Sequence, residues 1–138
     1  AELAYRSTIS ELESALVESR GEYIYEKTEG GVVLTGYQGM KKTVEIPSTL
    51  DGFRVVGIGR EAFRNSSVES VILPIGVKKI DWFAFSGCSV LSRVTIPPSV
   101  TVIEYGAFDG CPSLVIYCNK DSFADKYASS YGMRVEYQ

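Results

Sequence analysis

Val94-Thr95-Ile96-Pro97-Pro98-Ser99-Val100-Thr101-Val102-Ile103-Glu104-Tyr105-Gly106-Ala107-Phe108-Asp109-Gly110-Cys111 is the stretch that decides the fold. Val94-x-Ile96 alternates with period two and then meets proline, so it reads as a short strand. Proline ends it because it has no amide hydrogen to give to a ladder. Val100 and Ile103 follow as a second extended piece with both apolar side chains pointing inward. Ala107-Phe108 then turns a corner, with a small residue where the chain crowds and a large ring to fill the centre. Gly110-Cys111 closes the turn, the glycine being free to take positive φ.

The same order of residues recurs upstream. Ala62-Phe63, Ala84-Phe85 and Ala107-Phe108 lie 22 and 23 residues apart. Ile58, Ile80 and Ile103 precede these pairs, and Val55, Val77 and Val100 lie three residues before each isoleucine. Ile46-Pro47, Leu73-Pro74 and Ile96-Pro97 mark the strand ends, and Gly87-Cys88 matches Gly110-Cys111. Leu91 and Leu114 stand at a shared position after their phenylalanines. A coil of this kind cannot cover its own apolar interior, but stacked coils share a continuous one. The sequence therefore predicts a repeat solenoid, mainly β, with short turns or helical corners. The first unit is longer, with 17 residues from Ile46 to Phe63 against 12 in the other two. The surplus, Leu50-Asp51-Gly52-Phe53-Arg54, carries an Asp-Gly hairpin signal and predicts a small β-excursion.

Outside the coils, residues 8–19 read as an amphipathic helix with Ile9, Leu12 and Leu16 on one face and a capping box from Thr8 to Glu11. Residues 22–40 read as a capping hairpin turning at Glu29-Gly30-Gly31. Ser122 to Tyr131 reads as a short helix stopped by Gly132, and Met133 to Tyr137 as a last strand. The expected organisation is an N-terminal helix over 1–21, a capping hairpin over 22–40, three repeats over 41–118 and a C-terminal cap over 119–138.

The pattern Ile-Pro-x-x-Val-x-x-Ile-x-x-x-Ala-Phe-x-Gly-Cys-x-x-Leu, followed by Ser122-Phe123-Ala124-Asp125-Lys126-Tyr127-Ala128, resembles the BspA-type (Treponema pallidum-type) leucine-rich repeat over roughly residues 30–138. The resemblance implies a leucine-rich-repeat-like right-handed coil. It also implies a secreted or cell-surface bacterial protein that adheres to host matrix or to other cells, with a protein or glycan as partner.

Composition narrows the function classes. The 138 residues carry a net charge of −3, with only the pairs Lys41-Lys42 and Lys78-Lys79 as basic clusters. No basic stripe exists for a nucleic-acid backbone. No run of about 18 apolar residues occurs to cross a membrane as a helix. The chain opens on Ala1 rather than Met, which reads as a trimmed or mature form. It has no histidine, which removes the commonest general base and metal ligand together. Asp109, Asp121 and Asp125 lack the spacing of a calcium loop. Gly30-Gly31 and Gly57-x-Gly59 lack the Lys-Ser/Thr of a phosphate loop. Nothing in the sequence calls for a cofactor or metal.

Three groups of residues are candidates for contact. If Val44, Val71 and Val94 point inward, the period-two rule turns Glu45, Ile72, Thr95 and Cys118 outward, flanked by Thr43, Ser70, Arg93 and Ile116. That ladder is either a partner-binding face, centred on Glu45, Ile72, Thr95, Ser70, Arg93 and Ile116, or a plain solvated sheet. Cys88 and Cys111 share a repeat position and would stack on adjacent coils, as a bridge or metal pair or as buried free thiols. Cys118 is expected at the surface, open to reaction or dimerisation. Trp82 and Tyr105 serve either packing or the recognition of sugars and proteins. The reading that follows is a non-catalytic interaction module. A structural spacer for a neighbouring domain is the alternative, and a carboxylate-based hydrolase the remote one.

Overall fold

A computed structural model describes residues 22–138. The predicted helix over 8–19, and with it the unit 1–21, lies outside the described residues. In chain order the strands are β1 (Tyr23–Thr28), β2 (Gly31–Tyr37), β3 (Thr43–Glu45), β4 (Thr49–Leu50), β5 (Phe53–Ile58), β6 (Ser70–Ile72), β7 (Lys79–Ile80), β8 (Arg93–Thr95), β9 (Val102–Ile103) and β10 (Val115–Cys118). Helix α1 (Phe123–Ser130) and β11 (Arg134–Tyr137) complete the chain.

The fold is a β-solenoid with three sides to each coil. One side is the parallel sheet β3-β6-β8-β10-β11. A second is the sheet β1-β2-β5-β7-β9, parallel from β2 onward, with β1 closing it as an antiparallel hairpin edge. The third has no strands, yet its backbone is also laddered from coil to coil. Phe63 N–H donates to the Ala84 carbonyl at 2.7 Å and Phe85 N–H to the Ala107 carbonyl at 2.7 Å. Gly87 N–H likewise reaches the Asp109 carbonyl at 2.7 Å. The corner can therefore be buried without orphaned amides. Glycine serves this corner at Gly87 and Gly110, whose φ angles are +74° and +73°. A Cβ on Gly87 would lie 2.1 Å from Asn65 Oδ1 on the coil below.

Short strands form here because β-branched residues alternate over only three positions before proline cuts the ladder. Val44, Val71, Val94 and Ile116 are in register across one sheet and buried. Val55, Ile58, Val77, Ile80 and Val100 line the other. Between them runs a stack of rings. Phe63 lies on Phe85 (centroids 5.0 Å apart, 13° between planes), and Phe85 on Phe108 (5.4 Å, 7°). Tyr37 of the hairpin extends the stack at one end and Tyr127 of α1 meets it edge-on at the other. The two ends thus donate aromatic residues to a spine that the repeats began.

The first-unit insertion forms the antiparallel pair β4–β5, which turns at Asp51-Gly52. At the far end Ser122 caps α1, its Oγ accepting from Asp125 N–H at 3.2 Å. Gly132 (φ +66°) reverses the chain, and Met133 N–H reaches the Ala128 carbonyl at 2.8 Å. These bonds satisfy the last carbonyls of the helix. Asp125 is buried and accepts from Asp121 N–H (2.8 Å) and the Tyr137 hydroxyl (3.1 Å), which ties α1 to β11.

Candidate interaction faces

The outward side of β3-β6-β8-β10-β11 carries two columns. Register places Thr43, Ser70, Arg93, Val115 and Arg134 in one, and Glu45, Ile72, Thr95, Tyr117 and Glu136 in the other. Five of the six residues expected on this face are there: Glu45, Ile72, Thr95, Ser70 and Arg93. Ile116 is not. It is in register with Val94 and fully buried, and Cys118 is buried as well. Both expectations are corrected for one physical reason. Val68 to Val71 and Leu91 to Val94 each span three residues, whereas Leu114 to Ile116 spans two. A one-residue change of register sends every side chain of a strand to the opposite face. The outward positions of β10 are therefore Val115 and Tyr117. Because Val115, Ile116, Tyr117 and Cys118 are all apolar or aromatic, their sequence offered no contrast by which to find the shift.

Chemistry is spread over this face rather than gathered in a cleft. The Arg93 guanidinium sits 3.9 Å from the Tyr117 ring centroid, a cation–π contact that joins the two columns. Thr95 lies between Ile72 and Tyr117 in the register. Its Oγ1 is the only buried side-chain oxygen or nitrogen among the described residues without a hydrogen-bond partner. At the β3–β6 end a shallow groove runs along Glu45, Ile46, Pro47, Ile72, Pro74 and Ile75, where Ile75 is 83% exposed. Among the described residues, no three Cys, Asp or Glu side chains are grouped to hold a metal ion.

The cysteines are free thiols. Cys88 Sγ donates to the Phe63 carbonyl at 2.9 Å and Cys111 Sγ to the Phe85 carbonyl at 3.1 Å, the same contact one coil apart. The neighbouring Cys111 sulfur and burial push the Cys88 thiol up, whereas contact with Cys88 draws Cys111 down. Burial raises Cys118.

Trp82 and Tyr105 stand at one repeat position on the third side. They pack on each other (6.0 Å between centroids) and on Phe83 (6.4 Å from Trp82, 5.8 Å from Tyr105). They nevertheless remain 42% and 67% exposed.

The profile of the BspA type leucine-rich repeat region matches residues 56–131 in six copies. The chain belongs to this family. Among solved structures, a leucine-rich repeat protein of Treponema pallidum is 32% identical with a TM-score of 0.67, over 75% of this chain and 53% of that one. A leucine-rich cell surface protein of Faecalibacterium prausnitzii is 30% identical with a TM-score of 0.64, over 70% of this chain and 28% of that one. A leucine-rich repeat protein of Bacteroides ovatus, 23% identical with a TM-score of 0.53 over 84% of this chain and 39% of that one, shares the fold. No curated protein matches the chain. This BspA-type chain thus spans about half of the Treponema protein and just over a quarter of the Faecalibacterium one. Among its described residues no helix is long and apolar enough to cross a membrane.

Proposed function

We propose that this BspA-type repeat block is a non-catalytic binding module of a secreted or surface-anchored bacterial protein, and that its contact surface is the outward face of β3-β6-β8-β10-β11. Leucine-rich repeats as a class support protein interaction, and a relative described as a cell surface protein supports the location. The observation that carries the choice of face is its central column. Ile72, Thr95 and Tyr117 adjoin there, and the Arg93 guanidinium stacks on the Tyr117 ring beside them. Outward-facing aromatic and arginine side chains are the groups that most often anchor a protein interface. The flanking charges Glu45, Arg134 and Glu136 form a polar rim of both signs, which suits a protein partner.

The test is surface plasmon resonance of the purified chain against immobilised fibronectin, laminin and type IV collagen, with an Ile72→Glu/Arg93→Glu variant alongside. Both residues lie on the outward side of their strands, so the variant is expected to keep its thermal midpoint within a few degrees. Binding by the parent and none by the folded variant is the expected result. Equal binding by both would move the site elsewhere. Binding by neither would favour a spacer that holds another domain.

A further inference from the structure

The third side of the coil carries a feature that the strand-face reading does not use. The residue before each Ala-Phe pair is left-handed: Glu61 at φ +58°, Phe83 at +55° and Gly106 at +73°. Glycine meets this demand without strain, and a bulky aromatic meets it worst. Phe83 nevertheless occupies the position, half-buried, with its ring laid on the backbone of Gly106. A Cβ on Gly106 would lie 2.3 Å from that ring, so the next coil leaves the space that Phe83 fills. Its backbone N–H is bound to the Tyr105 carbonyl at 3.3 Å, while the Trp82 amide is held by Asp81 Oδ1 at 2.8 Å. Phe83 adds nothing to the buried aromatic spine. It also packs on Trp82 and Tyr105, which stay exposed on the outer side of the cluster.

We infer that Trp82, Phe83 and Tyr105 form a stacking platform for a neutral saccharide. Two observations select this occupant. The first is area. At 42% and 67% exposure, Trp82 and Tyr105 together offer roughly 250 Å² of surface, well short of the about 800 Å² per partner that a stable protein interface takes. That area suits one or two pyranose rings. The second is charge. Glu61 N–H is bonded to the Trp82 carbonyl, and Asp81 and Glu104 adjoin Trp82 and Tyr105 in the chain. Arg60 and Arg64 pair with Glu61 at 3.7 and 3.3 Å, and Lys79 with Asp81 at 3.9 Å. These ion pairs present no single sign of charge to a charged partner, but they supply donors and acceptors to hydroxyls. A pyranose lays its C–H face on the electron-rich rings and turns its hydroxyl edge to those charges.

Trp82 is the only tryptophan of the chain, so its fluorescence reports this site alone. The experiment titrates the full chain with cellohexaose, maltohexaose, xylohexaose and mannohexaose, and with hexalysine and hexaglutamate as charged comparators. At least one neutral hexaose is expected to give a saturable change with a midpoint of about 0.1–1 mM, and the charged peptides none. Phe83→Gly relaxes the backbone and Tyr105→Ala removes an exposed ring. Each is expected to raise the midpoint at least about tenfold without a fall of more than a few degrees in thermal midpoint. The inference is overturned if no neutral hexaose gives a saturable change, if hexalysine alone gives one, or if both folded variants bind like the parent.

Discussion

Phe85 is the residue on which the stability of the stack most depends. Its ring is fully buried and lies between two near-parallel neighbours, 5.0 Å from Phe63 and 5.4 Å from Phe108. Phe85→Leu keeps most of the apolar burial and removes both ring contacts. Each aromatic pair contributes about 0.5–1.5 kcal/mol beyond area, so the loss is about 1–3 kcal/mol. Phe85→Ala adds a cavity and should cost about 3–5 kcal/mol. Against a stability of roughly 0.05–0.15 kcal/mol per residue, the second loss is a large part of the whole. Urea unfolding followed by circular dichroism measures both changes. The sharper measurement is a pair of double-mutant cycles. Phe85→Leu with Phe108→Leu should show a coupling of about 0.5–1.5 kcal/mol. Phe63→Leu with Phe108→Leu should show almost none, because Phe85 separates those rings and a solenoid couples nearest neighbours. Equal coupling in the two cycles, or a Phe85→Leu cost below about 0.5 kcal/mol, would refute an energetic role for ring stacking and leave only volume.

Three further outcomes follow from particular groups. The corrected register of β10 predicts that Ile116→Glu abolishes folding, while Tyr117→Glu, on the outward side, shifts the thermal midpoint by only a few degrees; the reverse order would restore the rejected register. Burial pushes Tyr23 and Tyr127 up to about 12. Both folded values lie above the unfolded one, so their contribution is intact below about pH 10 and is lost as pH rises towards 12; calorimetry should find the midpoint falling across that window and not between pH 7 and 9. With a maleimide at neutral pH, Cys111, partly exposed and drawn down by Cys88, should label first; Cys118 and Cys88 should label only as the protein unfolds. Labelling of Cys118 at the rate of Cys111 would contradict its burial.

The coil was legible because its constraints are local and repeated. Proline after Val-x-Ile, alanine before phenylalanine and glycine at the corner each answer a steric demand that recurs in every turn, so agreement between units reveals them. The hairpin and α1 were legible from turn and capping residues. The orientation of β10 was not, because it depends on one residue missing between Leu114 and Ile116, and all four side chains of that strand suit either face. The place of Arg134 and Glu136 beside Val115 and Tyr117 was hidden too. Nothing in Met133–Tyr137 says which sheet the strand joins. The strain at Phe83 was likewise invisible until the aligned Gly106 acquired a φ angle.

These misses share a cause that bears on how such proteins acquire function. Inward positions answer to neighbours in the adjacent coils, so they repeat. Outward positions have no such neighbours to match and vary from coil to coil, as Glu45, Ile72, Thr95 and Tyr117 do along one column and Arg60, Trp82 and Tyr105 along another. Because the ring spine and the two ladders of aliphatic side chains hold the coil from within, either outer face can change without loosening the stack. The proposed strand face and the proposed aromatic platform are therefore independent of one another. A variant that removes one should leave the other, and the thermal midpoint, where they were.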